Sequence, residues 1–170
     1  MTMNQPDLGP ATPLDWTKQS WVLGSDHAGF ETKEFIRIYL QSQGAQVLDM
    51  GCYSPESVDY PQVARALASA VVENSEGLLG LLLCGSGNGV CISANRIPGA
   101  RAALCWLPEI AALARSHNNA NILCLPARFV SHEQSLAMVE AFAFTSFEGG
   151  RHQRRVAMMD PGASQIPPIG

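Results

Sequence analysis

Residues 78–83 run without a polar side chain straight into Cys84-Gly85-Ser86-Gly87-Asn88-Gly89, and this abrupt change constrains the fold more than any other segment. An unbroken apolar run bounded by a glycine-rich turn reads as a strand covered on both faces, the kind found inside parallel sheets. Four further runs, at 21–24, 45–50, 102–105 and 121–125, fit the same reading. Between them lie segments of helical period. Phe35, Ile36, Tyr39 and Leu40 share one face of the first, and Val63, Ala64, Leu67 and Val71 one face of the second. Further helices are predicted at 88–95, 108–117, 132–144 and 151–159, with Pro108 suited to a first turn, where its missing amide hydrogen costs nothing. This alternation predicts an α/β, doubly wound domain on a five-stranded parallel sheet, with its ligand site beyond the C-terminal ends of the strands.

The 170 residues suit one domain at 20–160, able to bury about 70% of the unfolded chain's surface. Residues 1–19, with Pro6, Pro10 and Pro13 and no basic stretch leading into an apolar core, read as a flexible extension rather than a secretion signal. Residues 161–170, with Pro167 and Pro168 adjacent, read as a flexible tail. At 46% hydrophobic and 15% charged, with no apolar run near the ~20 residues of a membrane span, the chain is neither disordered nor membrane-embedded. A net charge of −4 argues against nucleic acid as a partner. Five cysteines, Cys52, Cys84, Cys91, Cys105 and Cys124, form no C-x-x-C pair, which fits a reducing cytoplasm better than a disulfide framework or a zinc site. No cluster of His, Cys, Asp and Glu has metal-ligand spacing along the sequence, so no metal is expected.

The candidate chemistry sits at the predicted strand ends. The first strand leads into Ser25-Asp26-His27-Ala28-Gly29-Phe30. Asp26 there is either a helix cap or a ligand for a sugar hydroxyl, and His27 either a surface residue or an anion contact. The loop Gly85-Ser86-Gly87-Asn88-Gly89 lacks both the Rossmann fingerprint and the Gly-Lys-Ser/Thr ending of a P-loop. Its backbone N–H groups can still converge on one negative oxygen, of a phosphate or of an enediolate. Cys84, just before them, is either a buried structural thiol or an activated base or nucleophile. Cys91, Cys105 and Cys124 lie in apolar contexts and read as structural. His117 closes a helix, where a histidine is a favourable dipole partner or a catalytic group. Arg151 and Arg155, one helical turn apart after Gly149-Gly150, are placed to grip one phosphate together.

Taken together, the segments at 25–30 and 57–61, Cys84-Gly85-Ser86-Gly87, Ala94-Asn95-Arg96, His117-Asn118 and Gly149-Gly150-Arg151-His152-Gln153-x-Arg155 resemble the type B ribose-5-phosphate isomerase family, which includes galactose-6-phosphate isomerases. The resemblance spans about residues 20–160. It implies a Rossmann-like three-layer α/β/α fold and a metal-free, cofactor-free aldose-ketose isomerase of a phosphorylated sugar. It also implies a homodimer or dimer of dimers with active sites at the interface. Position by position it implies that Cys84 moves a proton between C1 and C2, that Ser86 assists proton transfer to the oxygens, and that His117 opens the furanose ring. The amides of Gly85, Gly87, Asn88 and Gly89 would hold the enediolate, Asp26, Tyr60 and Asn118 the hydroxyls, and His27, Arg128, Arg151 and Arg155 the phosphate. Asn119, Trp106 and Pro126 depart from the family's usual residues.

Ribose 5-phosphate and ribulose 5-phosphate are the expected pair, through a cis-enediol. The alternatives are the same chemistry on galactose 6-phosphate, allose 6-phosphate or a tetrose phosphate, a non-catalytic sugar-phosphate-binding homologue, and a cysteine hydrolase using Cys84 and His117. Chain direction adds one expectation. Cys84 ends its strand whereas His117 precedes the start of another, so in a parallel sheet they fall on opposite edges and meet only across two protomers.

Overall fold

A computed structural model describes residues 14–74 and 77–159. Five strands, β1 (Ser20–Ser25), β2 (Gln46–Asp49), β3 (Leu79–Cys84), β4 (Ala102–Leu104) and β5 (Ile122–Pro126), form one sheet in the order β2-β1-β3-β5-β4. Every pairing is parallel. The apolar runs explain the order. All residues of β3 and β5 are buried, as are all but the first of β1, and these three strands take the centre. Gln-Val-Leu-Asp in β2 alternates exposed and half-buried, and β4 is half-buried throughout; they form the two edges.

Side chains alternate across the pleat. Trp21, Leu23, Leu81, Leu83, Leu123 and Leu125 face one core with Ile36 and Leu40 of α1 (Phe30–Ser42), Ala111 of α4 (Pro108–Asn118) and Met138 and Phe142 of α5 (His132–Phe144). Val22, Leu82, Cys84, Ile122 and Cys124 face the other, with Leu67 and Val71 of α2 (Tyr60–Glu73) and Val90 of α3 (Asn88–Ala94). The result is the expected three-layer α/β/α arrangement. A last helix, α6 (Arg151–Ala157), rests on α4. Because α1 leads outward from β1 to β2 and α2 returns to β3, the connections reverse between β1 and β3, the place where open α/β sheets bind their ligands.

Two expectations need correction. The segment 1–19 is not wholly an extension: residues 1–13 lie outside the described residues, but Trp16 is buried in a short 3-10 turn, Trp16–Lys18. Its ring meets Tyr39 edge-on at 5.9 Å and Phe144 at 4.7 Å. Burying about 200 Å² of tryptophan at about 25 cal/mol/Å² is worth roughly 5 kcal/mol, enough to offset the ordering of a three-residue turn. The buried face of α1 is also rotated from the predicted one. It carries Thr32, Lys33, Ile36 and Leu40, while Phe35 is 37% exposed and stacks on His132. Lys33 is fully buried because its ammonium is received by Glu34 at 2.8 Å and by Asp49 at the end of β2, and it lies over the rings of Phe30 and Tyr53. The tail 161–170 lies outside the described residues. Among the described residues no helix is long and apolar enough to cross a membrane.

Candidate active site

The C-terminal ends of β1, β3 and β5 converge. The amide of Asp26 donates to Leu83 O at 3.1 Å, that of Ala127 to Cys84 O at 3.0 Å, and that of Arg128 to Gly85 O at 3.1 Å. A Cβ on Gly29 would fall 2.6 Å from Leu83 Cβ, so only glycine lets the turn after β1 lie against the end of β3. Asp26, 8% exposed, accepts the Gly29 amide on Oδ1 at 3.0 Å, which fixes the turn before α1. The cap of α1 is Gly29, with no side-chain cap, so Asp26 holds the turn ahead of the helix rather than capping it as expected. His27 is exposed beside it.

Cys84 is 5% exposed at the end of β3, and its Sγ accepts the amide of Gly87 at 3.1 Å. Gly87 is left-handed, with φ +73°, and a Cβ there would lie 2.4 Å from Leu104 Cδ1 and 3.1 Å from the Leu125 carbonyl carbon. Glycine is thus required for the loop to turn its N–H back onto the sulfur. This corrects the expectation that all the loop's amides face one external anion: Gly87 serves Cys84, and the amide of Asn88 reaches Ser86 Oγ at 3.4 Å. Ser86 and Asn88 are exposed. Tyr60, at the start of α2, lies so close to Gly89 that a Cβ would meet its ring at 2.6 Å, and the Arg128 side chain lies 3.4 Å from the same position on Gly85. One edge of the sheet therefore carries Asp26, His27, Tyr60, Cys84, Ser86, the glycine loop and Arg128. Among the other cysteines, burial holds Cys124 well above the usual thiol range and pushes Cys105 up to about 12. A hydrogen bond from Cys124 lowers Cys91.

His117, Asn118, Arg151 and Arg155 lie on the other side of the topology. The last turn of α4 holds His117 and leads to the start of β5, opposite the β5 end that pairs Pro126 with Cys84. Here the fold assembles a group the sequence spacing did not announce. The imidazoles of His117 and His152 stack at 4.2 Å with 5° between their planes, and Glu148 places Oε1 and Oε2 each 3.7 Å from one Nε2. The amide of Glu148 donates to Ser116 O at 3.0 Å, tying this segment to α4. His152 is 7% exposed, and its pKa is lowered by that burial first and then by His117 and Arg151. Arg151 Nε donates to His152 Nε2 at 3.4 Å, while Arg151 and Arg155 present their side chains to solvent.

The absence of metal-ligand spacing is thus corrected by the fold, since His117, Glu148 and His152 bring donor atoms within 4.8 Å of one another. Their geometry does not suit an ion. Nearly parallel rings aim their lone pairs side by side rather than at one point, and two arginines oppose a dication. The departure at Asn119 also acquires a reason: it caps α4 in the left-handed region, with φ +46° and ψ +41°, which asparagine adopts more readily than most residues.

Comparison with known proteins bears on this arrangement. A family model described as Ribose/Galactose Isomerase matches residues 22–159. A probable ribose-5-phosphate isomerase B of Mycoplasma genitalium is 44% identical over 135 residues, covering 79% of this chain and 89% of its own. The Escherichia coli ribose-5-phosphate isomerase B is 42% identical over 135 residues, covering 79% and 90%. The crystal structure of a Thermotoga maritima ribose 5-phosphate isomerase matches with a TM-score of 0.81 at 48% identity, over 84% of this chain and 97% of that one. The Mycoplasma genitalium enzyme with bound ribulose 5-phosphate matches with a TM-score of 0.79 at 42% identity, over 82% and 93%.

Proposed function

The chain belongs to the ribose/galactose isomerase family, with the type B ribose-5-phosphate isomerases among its relatives, and on that premise we propose that it interconverts ribose 5-phosphate and ribulose 5-phosphate without a metal, with Cys84 as the base. The observation that carries the proposal is the local geometry of Cys84: a nearly buried sulfur at the β1/β3 reversal, receiving an N–H from the glycine loop that follows it. A carbon acid beside a carbonyl needs a base and a place for the developing oxyanion, and one turn of chain supplies both.

In this mechanism His117 hands a proton to the ring oxygen while the anomeric hydroxyl releases its own proton to solvent, from which the imidazole is reprotonated, and the furanose opens to the aldehyde. The Cys84 thiolate removes the C2 proton. Electrons move into the carbonyl, and the enediolate oxygen is held by the amides between Gly85 and Gly89 other than those of Gly87 and Asn88, which serve Cys84 and Ser86. Ser86 relays a proton between the two oxygens. The Cys84 thiol then returns its proton to C1, leaving ketose and thiolate. Asp26, Tyr60 and Asn118 bind hydroxyls, and His27, Arg128, Arg151 and Arg155 hold the phosphate.

The placement of these groups on opposite sheet edges supports a homodimer in which each site takes Cys84 from one protomer and His117 from the other. The test is turnover of a panel of aldose phosphates in deuterium oxide, followed by proton NMR. Ribose 5-phosphate is expected to exchange its C2 proton for solvent deuterium, and Cys84→Ala to lose ~10²-fold to 10⁴-fold in turnover. Reaction confined to a six-carbon phosphate would replace ribose as substrate. No turnover of any sugar would leave a binding protein, and a Cys84→Ala variant within tenfold of the parent would remove the thiolate from the mechanism.

A further inference from the structure

His152 and Glu148 have no part in the reaction as written, yet both stand against His117. The two stacked imidazoles are 4.2 Å apart, a separation at which two protons on the pair repel each other. His152 is the member held neutral: it is 7% exposed, lies beside Arg151 and Arg155, and its Nε2 accepts the Arg151 Nε–H at 3.4 Å. That bond assigns the His152 proton to Nδ1 and leaves its Nε2 no proton to offer Glu148. Of the two rings that Glu148 faces, His117 is then the one that can present an N–H to the carboxylate. The other charged group nearby on α4, Arg115, turns away to the carbonyl of Ala120.

We propose that Glu148 is a positioning residue that keeps the ring-opening proton on His117, with the neutral ring of His152 as the platform that fixes the imidazole plane. The stack sets the tilt of His117, and the carboxylate sets which ring carries the charge. When a sugar phosphate reaches Arg151 and Arg155, its anion partly neutralises the arginines beside the pair, which further favours a proton there. The proposal rests on the reading of His117 as the ring-opening group, and the experiment separates the two.

Glu148 is 58% exposed by its side chain, so Glu148→Gln is expected to fold as the parent does. Its backbone tie to Ser116 is untouched. The readouts are the titration of the His117 imidazole by NMR, assigned with His117→Asn, and the pH dependence of kcat on ribose 5-phosphate. In Glu148→Gln the His117 midpoint is expected to fall, because the carboxylate 3.7 Å from its Nε2 is gone. The alkaline limb of kcat should move down by the same amount, because the acid form is then lost at lower pH, while KM changes less than twofold. Glu148→Asp should recover part of the shift. An unmoved His117 midpoint together with an inactive His117→Asn overturns the role of Glu148 and leaves the ring-opening assignment standing. Full ribose 5-phosphate turnover by His117→Asn overturns the assignment itself, and the proposal with it.

Discussion

Mixing two inactive variants should restore activity, by an amount that the topology dictates. Cys84 is the last residue of β3 and pairs with Pro126 at the end of β5, whereas His117 stands just before the start of β5. The four steps between the five residues of β5 rise about 3.3 Å each, so at least about 13 Å of strand separates the two ends. No imidazole reaches a thiol across that gap within one protomer. If each site takes Cys84 from one protomer and His117 from the other, a dimer of one Cys84→Ala and one His117→Ala chain has one site with both defects and one with neither. Equal amounts exchanged at random give half mixed dimers, each with one intact site in two, so about a quarter of parental activity should reappear. The assay is ribose 5-phosphate turnover after co-incubation under conditions that exchange subunits, with heterodimer formation followed by native mass spectrometry of differently tagged chains. Heterodimers without activity above the average of the two variants would refute the shared site and place His117 outside the reaction.

Four other outcomes follow from the same geometry. Arg151→Ala and Arg155→Ala should each raise KM for phosphorylated sugar roughly 10- to 150-fold, the loss of one charge-assisted contact of about 1.5–3 kcal/mol, and an unchanged KM in both assigns the pair to the solvated surface. Gly87→Ala adds a methyl 2.4 Å from Leu104 Cδ1 at a φ of +73°, and should cost about 2–4 kcal/mol from left-handed strain plus overpacking, read as a lower urea midpoint; a loss under 1 kcal/mol contradicts the packing described. Prolonged dialysis against EDTA should leave turnover unchanged, since the one His/Glu cluster among the described residues has parallel rings and neighbouring arginines; loss restored by a divalent ion defeats the metal-free mechanism. Arg37 first, and then Lys33, holds Glu34 down to about 2 from the usual 4.5. Its contribution, about 1 kcal/mol at this partly exposed position, is present above pH 4.5 and is lost as the pH falls toward 2; Glu34→Gln should flatten the acid limb of stability, and an unaltered limb refutes the assignment.

The centre of the sheet was legible because burial on both faces leaves a direct mark, an unbroken apolar run, at β1, β3 and β5. The half of the candidate site around Cys84 was legible for a related reason: a strand end and the loop that follows it are neighbours in sequence, so Asp26-His27 and Cys84-Gly85-Ser86 read as units. The face of α1 was not. Lys33 counts as polar in any periodicity, and the carboxylate that permits its burial, Asp49, belongs to another strand. Trp16 was missed because a single aromatic carries no period. The cluster of His117, Glu148 and His152 was hidden for the same kind of reason, since α4 and the segment leading into α6 meet only through tertiary contacts.

What did survive from sequence to structure is the separation of Cys84 from His117, which needed no side-chain placement at all. Strand direction in a parallel sheet is fixed once the βα alternation is recognised, and direction alone sends one residue to each edge. An isomerase built on this topology cannot gather its groups within one chain by adjusting loops, because the length of the strands lies between them. It can gather them by pairing chains. On the proposed mechanism a dimer follows from where the chemistry sits along the strands, and a substitution that loosened its interface should then remove the ring opening assigned to His117 and the phosphate contacts assigned to Arg151 and Arg155 while leaving Cys84 and its loop folded.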